Sequence, residues 1–149
     1  MADRAVAVSA WEALFRAQVA IMRGLAADFP SRDISFNEYD VMFTLSTCPE
    51  WRLRLRDLNR HVLLTQPSVS RLVDRLVSRG YLRKLGDPED RRGAIVELTT
   101  AGFEVFRRVA ALHMNSITEH VGDALSEDEL KQLTELCDRL RTGITRDHG

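Results

Sequence analysis

The sequence predicts a mainly α-helical protein with one small β-unit, and three observations support this fold class. Apolar residues recur at helical spacing over most of the 149 residues. A short helix, a turn and a second helix can be placed in succession from residue 55. Two strand-like segments joined by a charged turn follow, between residues 81 and 98. This order is that of a winged helix-turn-helix, here flanked by N-terminal and C-terminal helices.

The flanking helices have well-marked starts, because three capping-box patterns precede apolar periodicity. These patterns are Ser9/Glu12, Ser35/Glu38 and Ser126/Glu129. We expect a first helix within about 9–29, ended by Pro30, a second over about 36–47, and two C-terminal helices within about 100–145. The last helix carries an apolar stripe of Leu130, Leu133, Cys137, Leu140 and Ile144. These terminal helices hold more apolar surface than a small core can cover, so we expect 9–29 and 100–145 to form a homodimer interface.

The helix predicted over Thr65 to Ser78 is amphipathic. Thr65 is a good N-cap, Pro67 suits the first turn, and Gly80 supplies a C-terminal stop. The face opposite its apolar stripe, or close to that face, carries side chains suited to bonding base edges and phosphates: Thr65, Gln66, Pro67, Ser68, Ser70, Arg71 and Arg75. An ordinary solvated surface helix shows the same pattern, so the neighbouring elements decide whether this helix is predicted to bind DNA or only to face solvent.

Those neighbours complete a DNA-reading unit over about residues 51–99. Residues 55–62 read as a short helix, and Leu63 and Leu64 close the turn after it. Residues 81–85 and 94–98 read as strands, joined by a charged tip that contains Asp90, Arg91 and Arg92. Adjacent arginines at such a tip can enter a narrow minor groove, where the potential is most negative.

The charge distribution points the same way. Residues 51–92 contain eleven Arg or Lys and five Asp or Glu, a balance of +6, whereas the rest of the chain carries −7. A basic block within an acidic chain is the electrostatic pattern of a DNA-facing module on an assembly scaffold.

The wing segment also resembles the signature of the MarR (multiple antibiotic resistance regulator) family. The pattern D-x-R-x-x-x-V-x-L-T appears as Asp90, Arg92, Val96, Leu98 and Thr99. The S-x-x-V-D-R-L pattern from Ser70 and the G-Y-L-x-R/K pattern from Gly80 are similar to that family as well. The resemblance covers essentially the whole chain, as a single domain over residues 1–149.

The resemblance implies a homodimeric transcriptional regulator, usually a repressor that a small effector releases from a palindromic operator. It implies that Asp90 pairs with and orients Arg92, that Arg92 enters the minor groove, and that the outer face of the Thr65–Ser78 helix reads the major groove. It also implies a crevice for an aromatic carboxylate or a phenol. Candidate lining residues are Tyr39, Trp51, His61 and His113, although each of them is equally suited to a core.

Other function classes are disfavoured. The sequence shows no phosphate-binding loop, nucleophile elbow or metal-ligand spacing among its histidines, so we expect neither an enzyme nor a cofactor or metal. We expect no membrane span and no signal peptide, and therefore a cytoplasmic protein. Two alternatives stay open. One is a redox-sensing regulator that uses Cys48, and the other is a winged helix used for protein contacts.

Overall fold

The computed structural model describes residues 3–62 and 64–146. Predicted features at Leu63, at the side chain of Ile144 and at the extreme termini lie outside the described residues. The elements found are α1 (Arg4–Asp28), α2 (Phe36–Ser46), a 3-10 turn (Pro49–Trp51), β1 (Arg52–Arg54), α3 (Leu55–His61), α4 (Gln66–Ser78), β2 (Leu82–Asp87), β3 (Asp90–Leu98), α5 (Thr100–Ile117), a π-helical turn (Thr118–Gly122) and α6 (Glu127–Arg146). The winged helix-turn-helix fold class predicted from the sequence is confirmed.

One compact unit comprises Phe29–His113. Its buried core takes residues from α2, α3, α4, the strands and the first part of α5: Val41, Met42, Leu45, Leu58, Val69, Val73, Leu76, Val96, Leu98 and Val109. The sheet is antiparallel, in the order β1-β3-β2. β1 was not predicted from the sequence. It pairs with β3 from Arg52↔Glu97 to Arg54↔Ile95, so the wing is one edge of a three-stranded sheet.

The exit from α4 is joined closely to the start of α5. α4 ends at Ser78, and Gly80 two residues later has a φ of +79°, in the left-handed region that glycine tolerates best. Thr99 then bonds back to this exit, because its hydroxyl donates to the carbonyl oxygens of Gly80 (2.7 Å) and Tyr81 (3.0 Å). The same hydroxyl accepts the N–H of Gly102 at 3.0 Å and so caps α5.

The other unit contains the described residues of the chain up to Asp28 and from Met114 onwards. Here the ring of His120, from the π-helical turn, lies on Gly24 of α1. The Nε2 atom of His120 is 2.6 Å from Oδ2 of Asp28, one turn along the same helix. α6 begins with the capping box predicted at Ser126 and Glu129.

Several boundaries differ from the sequence predictions. The Ser9/Glu12 capping box is wrong, because helix-forming residues extend α1 back to Arg4 and leave Ser9 inside the helix. The first of the two helices predicted within about 100–145 ends at Ile117 and is followed by the π-helical turn. By length and composition alone, α1 is also long and apolar enough to cross a membrane, which the sequence analysis did not anticipate.

Candidate DNA-binding site

The recognition helix α4 has the two faces that the sequence predicted. Thr65 is its N-cap, with Oγ1 accepting the N–H of Ser68 at 3.3 Å, and Pro67 lies in the first turn. The residues buried on the inner face are Val69, Leu72, Val73 and Leu76. On the outer side Thr65, Gln66, Pro67, Arg71 and Arg75 are exposed, and Ser68 and Ser70 are half-buried.

The guanidinium groups of Arg71 and Arg75 make no ion pair within the described residues. They are therefore available to an anionic partner. Asp74, between them in sequence, lies 3.4 Å from Nζ of Lys84 on β2 and so links the outer face of α4 to the wing. The sequence analysis did not single out Lys84, and its place next to α4 follows only from the packing of β2.

The three predicted wing residues Asp90, Arg91 and Arg92 are all exposed at the start of β3. The ion pair expected between Asp90 and Arg92 is not found in the described part of the chain. Instead, Oδ1 of Asp90 accepts the backbone N–H of Arg92 at 3.0 Å. The carboxylate of Asp90 therefore fixes the backbone of the tip, and the Arg92 guanidinium is free.

Two further sets of side chains organise the wing. Glu97 of β3 bridges the neighbouring strands, bonding to Arg52 of β1 and lying 3.6 Å from Arg83 of β2. Arg54 of β1 pairs with Asp87 at 3.0 Å and with Glu89 at the turn. The hydrogen bond that Arg54 donates to Glu89, followed by the charges of Asp87 and Glu89, raises the pKa of Arg54 above its ordinary value, so Arg54 stays positively charged.

An open groove of about 380 Å³ brings the recognition helix and the wing to one side of the unit. It is lined by Arg54, Leu55, Arg56, Asn59, Gln66, Ser70, Lys84, Asp87, Asp90, Arg92, Gly93 and Ala94. Four of these residues were predicted to contact DNA: Gln66, Ser70, Asp90 and Arg92. The Oδ1 atom of Asn59 is buried and has no hydrogen-bond partner within the described part of the chain. Basic and amide groups thus dominate the polar lining, which suits a polyanion.

The candidate effector residues do not form one cluster. Tyr39 and His113 are both buried and touch edge to face, with ring centroids 4.9 Å apart. Trp51 stacks instead on Phe103, with centroids 4.5 Å apart, and His61 is exposed at the end of α3. Burial lowers the pKa of His113, and burial followed by the charge of Asp40 raises the pKa of Tyr39, so both side chains are held neutral.

The Nδ1 atom of His113 is buried and has no hydrogen-bond partner among the residues that the structure describes. The rings of Phe29, Phe36 and Tyr39 surround the imidazole of His113, with their centroids 4.9–5.8 Å from the centroid of that ring. An unpaired nitrogen in an aromatic environment is energetically costly unless a ligand or water satisfies it.

The last candidates to consider are a redox-active cysteine and a metal site. Cys48 is half-buried and its thiol donates to the carbonyl oxygen of Thr44 at 3.3 Å. No group of three His, Cys, Asp or Glu side chains suited to a metal occurs within residues 3–62 and 64–146.

Comparison with known proteins shows which family this chain resembles. Residues 32–93, which include α2, α3, α4 and most of the wing, match the family model described as the MarR family. The chain belongs to the MarR family of DNA-binding transcriptional regulators. The family resemblance stated from the wing motif is therefore confirmed.

Individual MarR-family proteins extend the match to most of the chain. It is similar to the crystal structure of Sco3205, a MarR family regulator from Streptomyces coelicolor in complex with DNA, at a TM-score of 0.76 and 26% identity, over 96% of this chain and 90% of that one. PecS of Dickeya dadantii, an HTH-type transcriptional regulator, is 26% identical over 85% of this chain and 76% of PecS. The multiple antibiotic resistance protein MarR of Escherichia coli is 30% identical over 49% of this chain, and this match spans about half of MarR, 51%.

Proposed function

We propose that this protein is a dimeric repressor that binds a palindromic DNA operator and is released from it by a small aromatic effector. The observation that carries the proposal is the outer surface of α4 and the wing tip. Arg71, Arg75, Arg91 and Arg92 are exposed there, without an ion pair inside the described chain. Such guanidinium groups suit bidentate bonds to guanine in the major groove and contact with a narrow minor groove.

Dimerisation is supported by the apolar surface of α1 and α6. Only Leu25 of α1 is buried, whereas Trp11 and Phe15 are 59% and 50% exposed and contact each other. On α6, Leu133 and Leu140 of the predicted stripe are exposed as well. Apolar surface of this extent marks an interface, and a second copy of the chain would cover it. The apolar composition of α1 then serves dimer formation, in keeping with a cytoplasmic protein.

The two-fold symmetry of such a dimer would place its recognition helices about one DNA turn apart, roughly 34 Å. The operator is then expected to be an imperfect palindrome. Sedimentation velocity at micromolar concentration tests this step, since a species with only the mass of one chain would contradict it.

The effector part of the proposal is supported by the buried pair of Tyr39 and His113. A small aromatic acid or phenol can stack against these rings. A phenol hydroxyl can donate a hydrogen bond to Nδ1 of His113, and a carboxylate can accept one from it in the tautomer that carries a proton there. The assay is a thermal-shift screen of small aromatic acids and phenols, repeated with DNA from upstream of the protein's own gene. By linkage, an effector raises the melting temperature of the free protein and weakens its DNA binding.

The DNA-binding part is tested with Arg71→Ala and Arg75→Ala in fluorescence-anisotropy titrations of operator DNA. Each change is expected to weaken binding by roughly 1–3 kcal/mol if the side chain bonds a base edge. Arg107→Ala, which also removes an exposed arginine but lies on α5 beside Glu104, is the matched control. If the wild-type protein shows no salt-sensitive DNA binding at all, the winged helix is a protein-contact module instead.

The wing arginines are expected to differ. Arg92→Ala should reduce both affinity and the preference for an A/T-rich flank, because the Arg92 backbone is held by Asp90. Arg91→Ala should weaken all sequences similarly and lower the salt slope by about one unit, as for a phosphate contact. Asp90→Ala should weaken binding although it removes a negative charge. Tighter binding by Asp90→Ala across the salt range would show that the wing acts only through its bulk charge.

A further inference from the structure

The strand pairing that builds the wing stops just short of its two arginines. β2 and β3 pair regularly from Leu82↔Leu98 to Gly86↔Ala94, and the next pair is Asp87↔Asp90. Arg91, Arg92 and Gly93 therefore have no opposite residue in the described register. Because the ladder does not hold them, side chains must fix this part of the backbone.

Two carboxylates hold the backbone around this unpaired segment. Oδ1 of Asp87 accepts the N–H of Glu89 at 2.9 Å, and Oδ1 of Asp90 accepts the N–H of Arg92 at 3.0 Å. Both carboxylates approach Gly93 through their other oxygen, since a Cβ at that position would lie 3.2 Å from Oδ2 of Asp90 and 3.4 Å from Oδ2 of Asp87. Two like charges converging on one residue repel each other unless a cation compensates them.

Arg54 supplies that cation from a different strand. Its Nε lies 3.0 Å from Oδ2 of Asp87, and its Nη2 donates a hydrogen bond to the carboxylate of Glu89. The Asp87 side chain is only 3% exposed, whereas that of Glu89 is 76% exposed. The ion pair with Asp87 is thus largely shielded from water and salt, and the removal of Arg54 would leave a buried carboxylate without its counter-charge.

We propose that Arg54 positions the wing for DNA binding: by pairing with the buried Asp87, it fixes the turn that carries Arg91 and Arg92. The inference rests on the DNA-binding function proposed above and adds a residue to it that lies outside both the recognition helix and the wing hairpin. Arg54 acts in this scheme through Asp87 rather than through a phosphate, and this distinction can be measured.

The first experiment needs no DNA. Amide hydrogen exchange, followed by NMR, is compared between the wild-type protein, Arg54→Ala and Arg52→Ala. Arg52→Ala is the matched control, because it removes an arginine of the same strand that pairs with Glu97 and Glu50 instead of the turn. We expect exchange at Glu89 and Arg92 to accelerate about tenfold or more in Arg54→Ala only. Asp87, the acceptor for Glu89, loses its ion-pair partner, and Asp90, the acceptor for Arg92, is left facing an uncompensated Asp87 across Gly93. Unchanged protection of these two amides, with Val96 still protected as a marker of the folded sheet, would overturn the proposal.

The second experiment compares operator binding by Asp87→Asn, Arg54→Ala and the double variant, with Glu50→Gln as the control. Asp87→Asn adds one unit of positive charge to the wing, so Coulomb's law alone predicts tighter binding. A positioning role predicts weaker binding, by about threefold to tenfold, and a lost preference for an A/T-rich flank. The double variant should bind no more weakly than the weaker single variant, because both break the same pair.

Tighter binding by Asp87→Asn than by the wild-type protein, or losses that multiply in the double variant, would contradict the proposal. If Arg54→Ala fails to fold, Asp87→Asn decides alone, because it preserves the side-chain shape. A wild-type protein that does not bind DNA would refute the proposed function but would leave the exchange result intact, so the two failures are distinguishable.

Discussion

The replacement Gly102→Ala tests how tightly the recognition helix is joined to the rest of its unit. A Cβ atom on Gly102 would lie 2.1 Å from the carbonyl oxygen of Tyr81, although real Cβ atoms essentially never approach closer than 3.0 Å. The contacted atom belongs to the backbone, so it cannot move away by a side-chain rotation. The same oxygen accepts hydrogen bonds from the N–H of Thr99 at 3.1 Å and from its hydroxyl at 3.0 Å.

The expected loss of unfolding free energy follows from the groups that the new methyl group must displace. Moving the carbonyl group by about 1 Å weakens two hydrogen bonds, at roughly 1 kcal/mol each, and overpacking adds roughly 1–3 kcal/mol. Alanine regains about 1 kcal/mol through its higher helix propensity. The net loss of unfolding free energy is on the order of 2–4 kcal/mol, and for a chain of this length each kcal/mol lowers the melting temperature by about 2–4 °C.

The assay is urea denaturation followed by circular dichroism, with operator binding measured in parallel. Gly86→Ala is the matched control, because a Cβ on Gly86 meets no atom within 4 Å. We expect Gly102→Ala to weaken DNA binding as well, since Tyr81 follows the end of α4 directly. Equal stability of Gly102→Ala and the wild-type protein would refute the reasoning about this junction.

Three further changes have definite expected outcomes. His113 has a folded-state pKa below its ordinary value of 6.5, so the unfolded chain binds the proton more tightly and stability should fall as the pH drops below about 6.5. Urea midpoints measured at pH 7.5 and 5.5 should show a smaller fall in His113→Phe. The exposed-site control His61→Gln should show the same fall as the wild-type protein. Glu50 has a φ of +57°, and Glu50→Gly should raise the unfolding free energy by about 0.5–1 kcal/mol. The reason is that the strain of the left-handed conformation in a non-glycine residue exceeds the entropy that glycine loses on folding. A lower urea midpoint would count against this. Thr65→Ala removes the N-cap of α4 and should cost about 1 kcal/mol by the same measurement, with an undiminished midpoint indicating that the cap contributes nothing.

The sequence was sufficient for α4 because each signal there is local. The N-cap at Thr65, the apolar spacing from Val69 to Leu76 and the glycine at residue 80 all depend on neighbours within one or two helical turns. The same holds for the capping boxes at Ser35 and Ser126, which the structure contains. The box at Ser9 failed because favourable residues upstream of it continue the helix, and a capping pattern inside a helix has no end to cap.

What the sequence missed depends on contacts distant along the chain. Arg52–Arg54 show no strand periodicity of their own and become a strand only by pairing with β3. The partnership of Arg54 with Asp87 depends on this strand and on the hairpin being formed together. Asp90 bonds the backbone N–H of Arg92 rather than its guanidinium. This depends on the geometry of the turn, which a motif of residue types does not specify.

The contact of His120 with α1 has a consequence for assembly. A Cβ on Gly24 would lie 2.7 Å from the His120 ring, so this ring lies directly against the helix backbone, and its bond to Asp28 also fixes the position along the helix. The rotation of α1 about its own axis is therefore set within a single chain. In the dimer proposed above, Trp11 and Phe15 would present a preformed surface to the second chain, so that less orientational freedom would be lost on association.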